Sequence, residues 1–161
     1  MRYVEQNLMN NEKIIYTAKI HKFIFVIPGL CALFFFLVGI KTPLLGVNTP
    51  LLEAGWFALS LLFIVVPFIN YKTSEFAVTN KRVILKVGFI ARTSVEILLL
   101  KVEGVQVSQD ILGRIFDFGT IRITGTGGTS EPFNNIAMPF QFRRSIQEQI
   151  DQIQTAQSRS V

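Results

Sequence analysis

Two long stretches in the first half of the chain are apolar and contain no charged side chain. They cover residues 23–40 and 54–69. A helix rises 1.5 Å per residue, so the first stretch extends about 27 Å and nearly matches the roughly 30 Å hydrocarbon core of a bilayer. The second stretch reaches a similar length if it begins at Leu51, which places Glu53 at the membrane interface. The pattern therefore predicts two transmembrane helices, at residues 23–40 and 51–69.

The connection between the two predicted spans is rich in turn formers. Residues 41–50 contain two prolines, a glycine and an asparagine, which favour a turn over a continuous helix. Four lysines or arginines precede the first span, one lies in the connection, and four follow soon after the second span. The positive-inside rule then places both termini in the cytoplasm. A cleaved signal peptide is the alternative, but the first apolar run starts late and is followed by no small-residue cleavage site.

The predicted spans have the character of an anchor. Neither carries an ionisable residue at its centre, and the only polar side chains of the uncharged stretches 23–40 and 54–69 are Cys31 and Ser60. Transport and proton relay normally require charged groups within the membrane. Residues 23–71 are therefore predicted to form a helical hairpin that holds the rest of the chain at the membrane.

Strand-like patterns dominate the remaining chain. Apolar and polar residues alternate in short segments separated by turn residues, as in half-buried strands. The predicted strands are residues 75–79, 82–87, one long bent strand at 90–100, 105–108 and 120–124, and residues 14–20 alternate in the same way. A short helix is predicted within residues 110–118. An amphipathic helix is predicted after Pro139, because Phe142, Ile146, Ile150 and Ile153 recur at helical spacing.

These elements predict an α+β protein in four parts. Residues 1–22 form a cytoplasmic segment whose strand joins the later sheet, residues 23–71 the hairpin, residues 72–155 a β domain with its C-terminal helix, and residues 156–161 a polar tail. In the predicted core the strands point their apolar residues inward and the C-terminal helix covers them. The inward residues are Phe76, Val78, Val105, Val107, Ile121 and Ile123, and the covering residues are Phe142, Ile146 and Ile150.

Composition narrows the function classes. Half of the 161 residues are hydrophobic and 17% are charged, with a mean hydropathy of +0.42. The formal net charge is +5, but the eleven basic and eight acidic side chains of residues 70–161 are scattered rather than arranged in a stripe, so no nucleic acid is expected as a partner. The single cysteine leaves no disulfide framework, and the single histidine leaves little for His-centred catalysis.

No set of residues in the sequence matches the pattern of a catalytic or metal site. The 125–129 segment GTGGT lacks the lysine and following helix of a phosphate-binding loop, so it predicts a flexible turn. His21, beside the first span, has no metal or nucleophile partner in the pattern. Four carboxylates could serve acid–base chemistry, those of Glu96, Glu103, Asp110 and Asp117. We interpret them as solvated or as paired with nearby basic side chains, which are Arg92, Lys101, Arg114 and Arg122. We therefore expect no enzyme activity, no metal and no cofactor.

Several segments carry a resemblance to a known family. They follow the two spans and are the 75–84 segment EFAVTNKRVI, Gly88, an apolar segment ending at Leu100 and Lys101, and the segments 111–114 ILGR, 119–123 GTIRI and 125–128 GTGG. With these motifs the chain resembles the bacterial pleckstrin-homology-like (PH-like) membrane proteins of the YdbS-like group over nearly its whole length. The resemblance implies a strongly bent antiparallel sheet or barrel of about seven strands, closed by a C-terminal amphipathic helix. It also implies a multi-pass protein of the bacterial inner membrane.

Two function classes follow. The first is a membrane-anchored binding module on the cytoplasmic face of the inner membrane, which recognises a protein partner or lipid headgroups. The second is a structural subunit of a homo-oligomeric membrane assembly that supports envelope integrity. The candidate contact residues are the basic side chains that follow the second span, Lys72, Lys81, Arg82 and Lys86. They either attract acidic groups of lipids or of a partner, or only set the membrane topology.

Overall fold

A computed structural model of the chain describes residues 2–44, 46, 49–88, 93–128 and 130–159. The chain divides into two compact units. The first, called here the β unit, is assembled from both ends of the chain, through His21 and again from Thr73 onward. The second, the apolar unit, is the continuous segment Lys22–Lys72.

The apolar unit consists of two long helices. A short 3-10 turn at Lys22–Phe25 leads into α2 at Val26–Leu44, and α3 covers Pro50–Thr73. Both are long and apolar enough to cross a membrane by length and composition. The helices extend beyond the predicted spans, since α2 continues through Pro43 and α3 reaches Thr73.

Aromatic rings and one hydrogen bond join α2 to α3. The ring of Phe35 stacks on those of Trp56 and Phe63, with centroid separations of 5.8 and 5.5 Å. The buried hydroxyl of Ser60 donates a hydrogen bond of 2.8 Å to the carbonyl of Ala32. Ser60, one of the two polar side chains in the uncharged stretches 23–40 and 54–69, therefore faces the partner helix.

Four antiparallel strands form the first sheet of the β unit. They are β1 (Ile14–Ala18), β2 (Glu75–Thr79), β3 (Arg82–Val87) and β4 (Thr93–Leu98), in that spatial order. Strand β1 confirms the N-terminal strand expected from the alternation before the first apolar helix. It pairs with β2, which follows the second apolar helix, so the two ends of the apolar unit connect to neighbouring strands.

Three antiparallel strands form the second sheet, in the order β5 (Val102–Ser108), β6 (Phe118–Gly125) and β7 (Ser130–Ala137). The prediction of one bent strand at 90–100 is confirmed for residues 93–98, which form β4, and is wrong for residues 99–100. A 3-10 turn at Leu99–Lys101 ends β4 and turns the chain into the second sheet, because the Leu99 side chain is buried and its N–H donates to the carbonyl of Lys81. The predicted positions 90–92 lie outside the described residues. Over the part of the chain that the structure describes, seven strands form two sheets that do not close into a barrel.

Three helices complete the β unit: α1 (Arg2–Gln6), α4 (Ile111–Phe116) and α5 (Pro139–Ser158). The predictions of a short helix within residues 110–118 and of an amphipathic helix after Pro139 are confirmed. Helix α5 extends through Ser158, into the segment predicted as a polar tail, and α1 was not predicted.

The core lies between the two sheets and α5. Of the predicted core residues, six are fully or almost fully buried: Phe76, Val78, Ile121, Ile123, Phe142 and Ile146. Val105, Val107 and Ile150 are half-buried. The other face of the first sheet is also covered, since Val4 of α1 packs against Ala77 and Ile84. Strand β2 is therefore buried on both faces, which is why its burial does not alternate.

Candidate functional site

The chain leaves and re-enters the β unit at one end of the first sheet. Strand β1 ends at Ala18, three residues before the unit breaks off at His21, and Ala18 pairs with Phe76, three residues after the chain returns at Thr73. We call this the attachment end. The β2–β3 turn at Asn80 and Lys81 lies at the opposite end of the same strands, the far end. Over the five residues of β2, a rise of about 3.3 Å per residue separates the two ends by roughly 15 Å.

His21 is held at the attachment end by the second sheet. Its N–H donates to the carbonyl of Asn135 at 2.6 Å, and the preceding Ile20 bridges to Ile136. The imidazole stacks on the ring of Phe118, with centroids 5.3 Å apart and planes inclined by 19°. This histidine is therefore part of the packing where the chain leaves the β unit.

A polar cleft of about 370 Å³ opens beside this stack. It lies between the ends of β5, β6 and β7, where the hydroxyl of Thr120 and the Oδ1 of Asn134 are 3.0 Å apart. Gly119 forms part of its wall, and a Cβ there would lie 2.7 Å from the carbonyl oxygen of Ser108. The lining residues are Ser108, Asp110, Phe118, Gly119, Thr120, Asn134 and Asn135. Since none of these side chains is basic, the cleft suits hydroxyl or amide groups better than a phosphate.

Helix α4 presents an apolar surface at the attachment end. The helix approaches the backbone of β6 most closely at Gly113, where a Cβ would lie 2.5 Å from the carbonyl oxygen of Phe118. With glycine on the inner side, the large side chains face outward. Their exposed fractions are 79% for Ile111, 46% for Leu112, 68% for Ile115 and 50% for Phe116. We call these four residues the α4 surface.

Two polar residues fix the ends of α4. The Asp110 carboxylate accepts a hydrogen bond of 2.6 Å from the N–H of Gly113 and so caps the N-terminus. Asp117 ends the helix in the left-handed conformation, with φ of 56°. The Asp110 carboxylate therefore serves the fold.

Arg82, one of the four candidate contact residues, is buried, so the expectation of an exposed basic group is not met there. Its side chain is 7% exposed. The Nε donates to Glu12 at 2.9 Å, Nη1 donates to Glu96, and Nη2 donates to Glu12 and to the carbonyl of Asn7. The guanidinium thus joins the N-terminal segment to β3 and β4.

The pKa values of Glu12 and Arg82 are both shifted from their ordinary values. Burial of the Glu12 carboxyl acts to raise its pKa, but hydrogen bonds from Arg82, from the N–H of Met9 and from the Thr79 hydroxyl outweigh that effect, so the pKa lies below its ordinary value. The hydrogen bond to Glu12 is the largest cause that raises the pKa of Arg82. Both side chains are charged at neutral pH, which makes this a buried ion pair.

The three candidate lysines lie in different places. Lys81 is at the far end, where its Nζ donates to the carbonyl of Asn10 at 2.6 Å. Lys86 lies opposite Glu75 in the backbone register of β2 and β3, near the attachment end, and its Nζ lies 4.1 Å from the centroid of the Tyr3 ring. Lys72 belongs to the apolar unit, with Nζ 5.8 Å from the Phe68 ring centroid. Lys81 and Lys86 are thus not brought together, and the lipid or partner contact stays a prediction.

The other candidates have structural surroundings. Glu96 forms an ion pair with Arg82, and its predicted neighbour Arg92 lies outside the described residues. The glycine segment forms the β6–β7 turn through Gly128, with positive φ at Gly127 and Gly128, and Thr129 lies outside the described residues. Among the residues described, no three His, Cys, Asp or Glu side chains form a group that could hold a metal ion.

The helix and strand arrangement agrees with a comparison against known protein families. Residues 23–150 match the family model described as bacterial PH domain, which confirms the resemblance seen in the 75–84 and 111–128 segments. The match includes both apolar helices and most of the β unit. No curated protein and no solved structure matches the chain.

Proposed function

The chain belongs to the bacterial PH domain family, and on that premise we propose that it is a membrane-anchored interaction module. The apolar unit anchors it in the bacterial inner membrane as a helical hairpin with both termini in the cytoplasm. The β unit then lies at the cytoplasmic face, where it binds a protein partner or lipid headgroups. PH-like domains are in general interaction modules without catalytic activity.

One observation carries this proposal: the family match runs without interruption through both apolar helices and into the β unit. The apolar unit and the β unit therefore belong to one architecture that the family model describes. Each helix has the length and composition of a membrane span, and most of their large apolar side chains are exposed on the outside of the apolar unit. Such a surface supports a hydrocarbon environment for these helices.

Charge supports the orientation and the candidate contacts. Four basic residues precede the first predicted span, Lys41 lies between the two spans, and four basic residues follow the second span, which favours cytoplasmic termini. Lys72, Lys81 and Lys86 are the basic candidates for contact with headgroups or with acidic groups of a partner. The Arg82 side chain is used within the fold.

The topology is tested with reporter fusions in bacterial cells. A reporter active only in the cytoplasm should be active when fused after Val161 and inactive when inserted at Asn48. An inactive reporter after Val161 together with an active one at Asn48 would contradict the proposed orientation.

The mass of the particle extracted in mild detergent tests the function class. An interaction module is expected as a small particle, with bound lipid or a stoichiometric partner detected by native mass spectrometry. A large homo-oligomer of defined size would instead favour the structural subunit that the sequence left as the alternative.

A further inference from the structure

The α4 surface combines strong exposure with apolar chemistry. Four of the six residues of this helix are large and apolar, and each is 46% or more exposed. The inner side of the helix is occupied by Gly113, so the large side chains lie on its outer side. Clustered exposed apolar side chains indicate a contact with a partner or a membrane.

The chain itself brings this surface close to the point where the predicted membrane anchor begins. Helix α4 ends two residues before Phe118, and the Phe118 ring stacks on His21 at a centroid distance of 5.3 Å. Lys22, the next residue, starts the apolar unit. Within the β unit, α4 is therefore held close to His21, the residue that directly precedes the apolar unit.

The chemistry of α4 fits an interfacial helix. Arg114 is its one basic residue and is exposed, and a long basic side chain can reach anionic headgroups while its neighbours enter the acyl region. The Asp110 carboxylate is engaged by the N–H of Gly113. At the far end, by contrast, exposed apolar side chains such as Ile15 and Leu100 lie on separate elements.

We propose that α4 inserts the α4 surface into the cytoplasmic leaflet of the bilayer that holds the apolar unit. The occupant of this surface is therefore an anionic phospholipid membrane. This inference rests on the proposed membrane anchoring. It adds a third membrane contact, which orients the β unit with its attachment end on the lipid and its far end toward the cytoplasm.

Tryptophan quenching by brominated lipids tests this contact in the full chain. The protein is reconstituted into vesicles of phosphatidylethanolamine and phosphatidylglycerol, with or without bromine on the acyl chains near the headgroup. Trp56, the single tryptophan, lies in α3 and reports on the anchor. In a Trp56→Phe background, Ile115→Trp reports on α4, and Leu100→Trp is the matched control, since Leu100 is 63% exposed at the far end.

We expect Trp56 and the Ile115→Trp probe each to lose about half of their emission in brominated vesicles, because quenching requires contact with acyl chains, as for an interfacial helix. The Leu100→Trp probe should lose little. Quenching of Trp56 without quenching at position 115 would overturn the inference and leave the anchor intact. A blue-shifted but unquenched probe at position 115 would also overturn it and would indicate a second copy of the chain on α4. Equal quenching at positions 100 and 115 would overturn the orientation, and absence of quenching at Trp56 would overturn the anchor together with the inference.

Discussion

The guanidinium of Arg82 binds the carboxylate of Glu12 across a separation of 70 residues, with Nε 2.9 Å from Oε1. Both apolar helices lie between these residues in the sequence. The pair therefore joins the segment before the apolar unit to the sheet that follows it. Together with the pairing of β1 on β2, it makes the N-terminal segment an integral part of the β unit.

Removal of Arg82 should destabilise the β unit strongly. The Arg82→Ala change leaves the Glu12 carboxylate buried without its main partner, which costs about 3 kcal/mol in the free energy of unfolding. The matched control is Arg144→Ala, because Arg144 also binds a glutamate at 2.8 Å but is 80% exposed. That variant should lose less than about 0.5 kcal/mol. Urea unfolding in mild detergent measures both, and similar losses would contradict the structural role of Arg82.

The same pair predicts a loss of stability in acid. The pKa of Glu12 in the folded state lies below its ordinary value of 4.5, so the unfolded chain binds this proton more readily. The stabilisation is therefore complete above the ordinary value and is lost as the pH falls through the folded-state pKa. A Glu12→Gln variant should be less stable at neutral pH and should lose less additional stability on acidification. Unfolding curves between neutral and acidic pH measure this, and parallel profiles for the two proteins would contradict it.

The β unit should fold without the apolar unit if both of its segments are present. Because Ala18 and Phe76 are paired neighbours, a short flexible linker can replace residues 22–72. We expect this excised chain to unfold cooperatively. The control chain of residues 73–161 lacks β1 and Glu12, which exposes the edge of β2 and removes the Glu12 partner of Arg82, so it should aggregate or stay unfolded. Circular dichroism and gel filtration compare the two, and equal folding would show that the N-terminal segment is dispensable.

Elements with a clear period were predictable from the sequence. The alternation around Tyr16 indicated β1, and the spacing of Phe142 and Ile146 indicated α5, because each pattern reflects one buried face. Helix α1 is only five residues long and buries Val4, which is too little for a detectable period. Strand β7 contains Pro132 and consecutive asparagines, which are typical of turns.

The candidate site was less predictable because it depends on long-range contacts. Arg82 follows a turn in sequence and so indicated an exposed basic group, but its partner Glu12 lies before the apolar helices, where no local pattern connects the two. The spacing of Ile111 and Ile115 predicted a helix, but it did not predict which side of that helix would face the rest of the β unit. In the structure, the close approach of Gly113 to the backbone decides that orientation.

A charge in the core should unfold the β unit, whereas the same charge one residue away should not. Ile121 is fully buried in β6, and the next residue, Arg122, is exposed on the opposite face. Ile121→Asp buries an unpaired carboxylate, at a cost of several kcal/mol that is comparable to the total stability of a small domain. Arg122→Asp should change the free energy of unfolding by less than about 1 kcal/mol. Thermal unfolding of the excised chain compares them, and a native-like transition for Ile121→Asp would contradict the core assignment.

The positions of Lys86 and Lys81 predict unequal roles at a membrane surface. Lys86 lies near the attachment end and Lys81 at the far end, so only Lys86 is close to a bilayer that the attachment end faces. A basic residue near an anionic surface contributes about 1 kcal/mol, so Lys86→Ala should weaken binding of the excised chain to phosphatidylglycerol vesicles about fivefold. Lys81→Ala removes the same charge and should leave binding nearly unchanged. Vesicle sedimentation at low salt measures both variants. Equal weakening would mean that net charge, rather than the orientation of the β unit, governs the attraction, and a larger loss for Lys81→Ala would place the far end on the membrane.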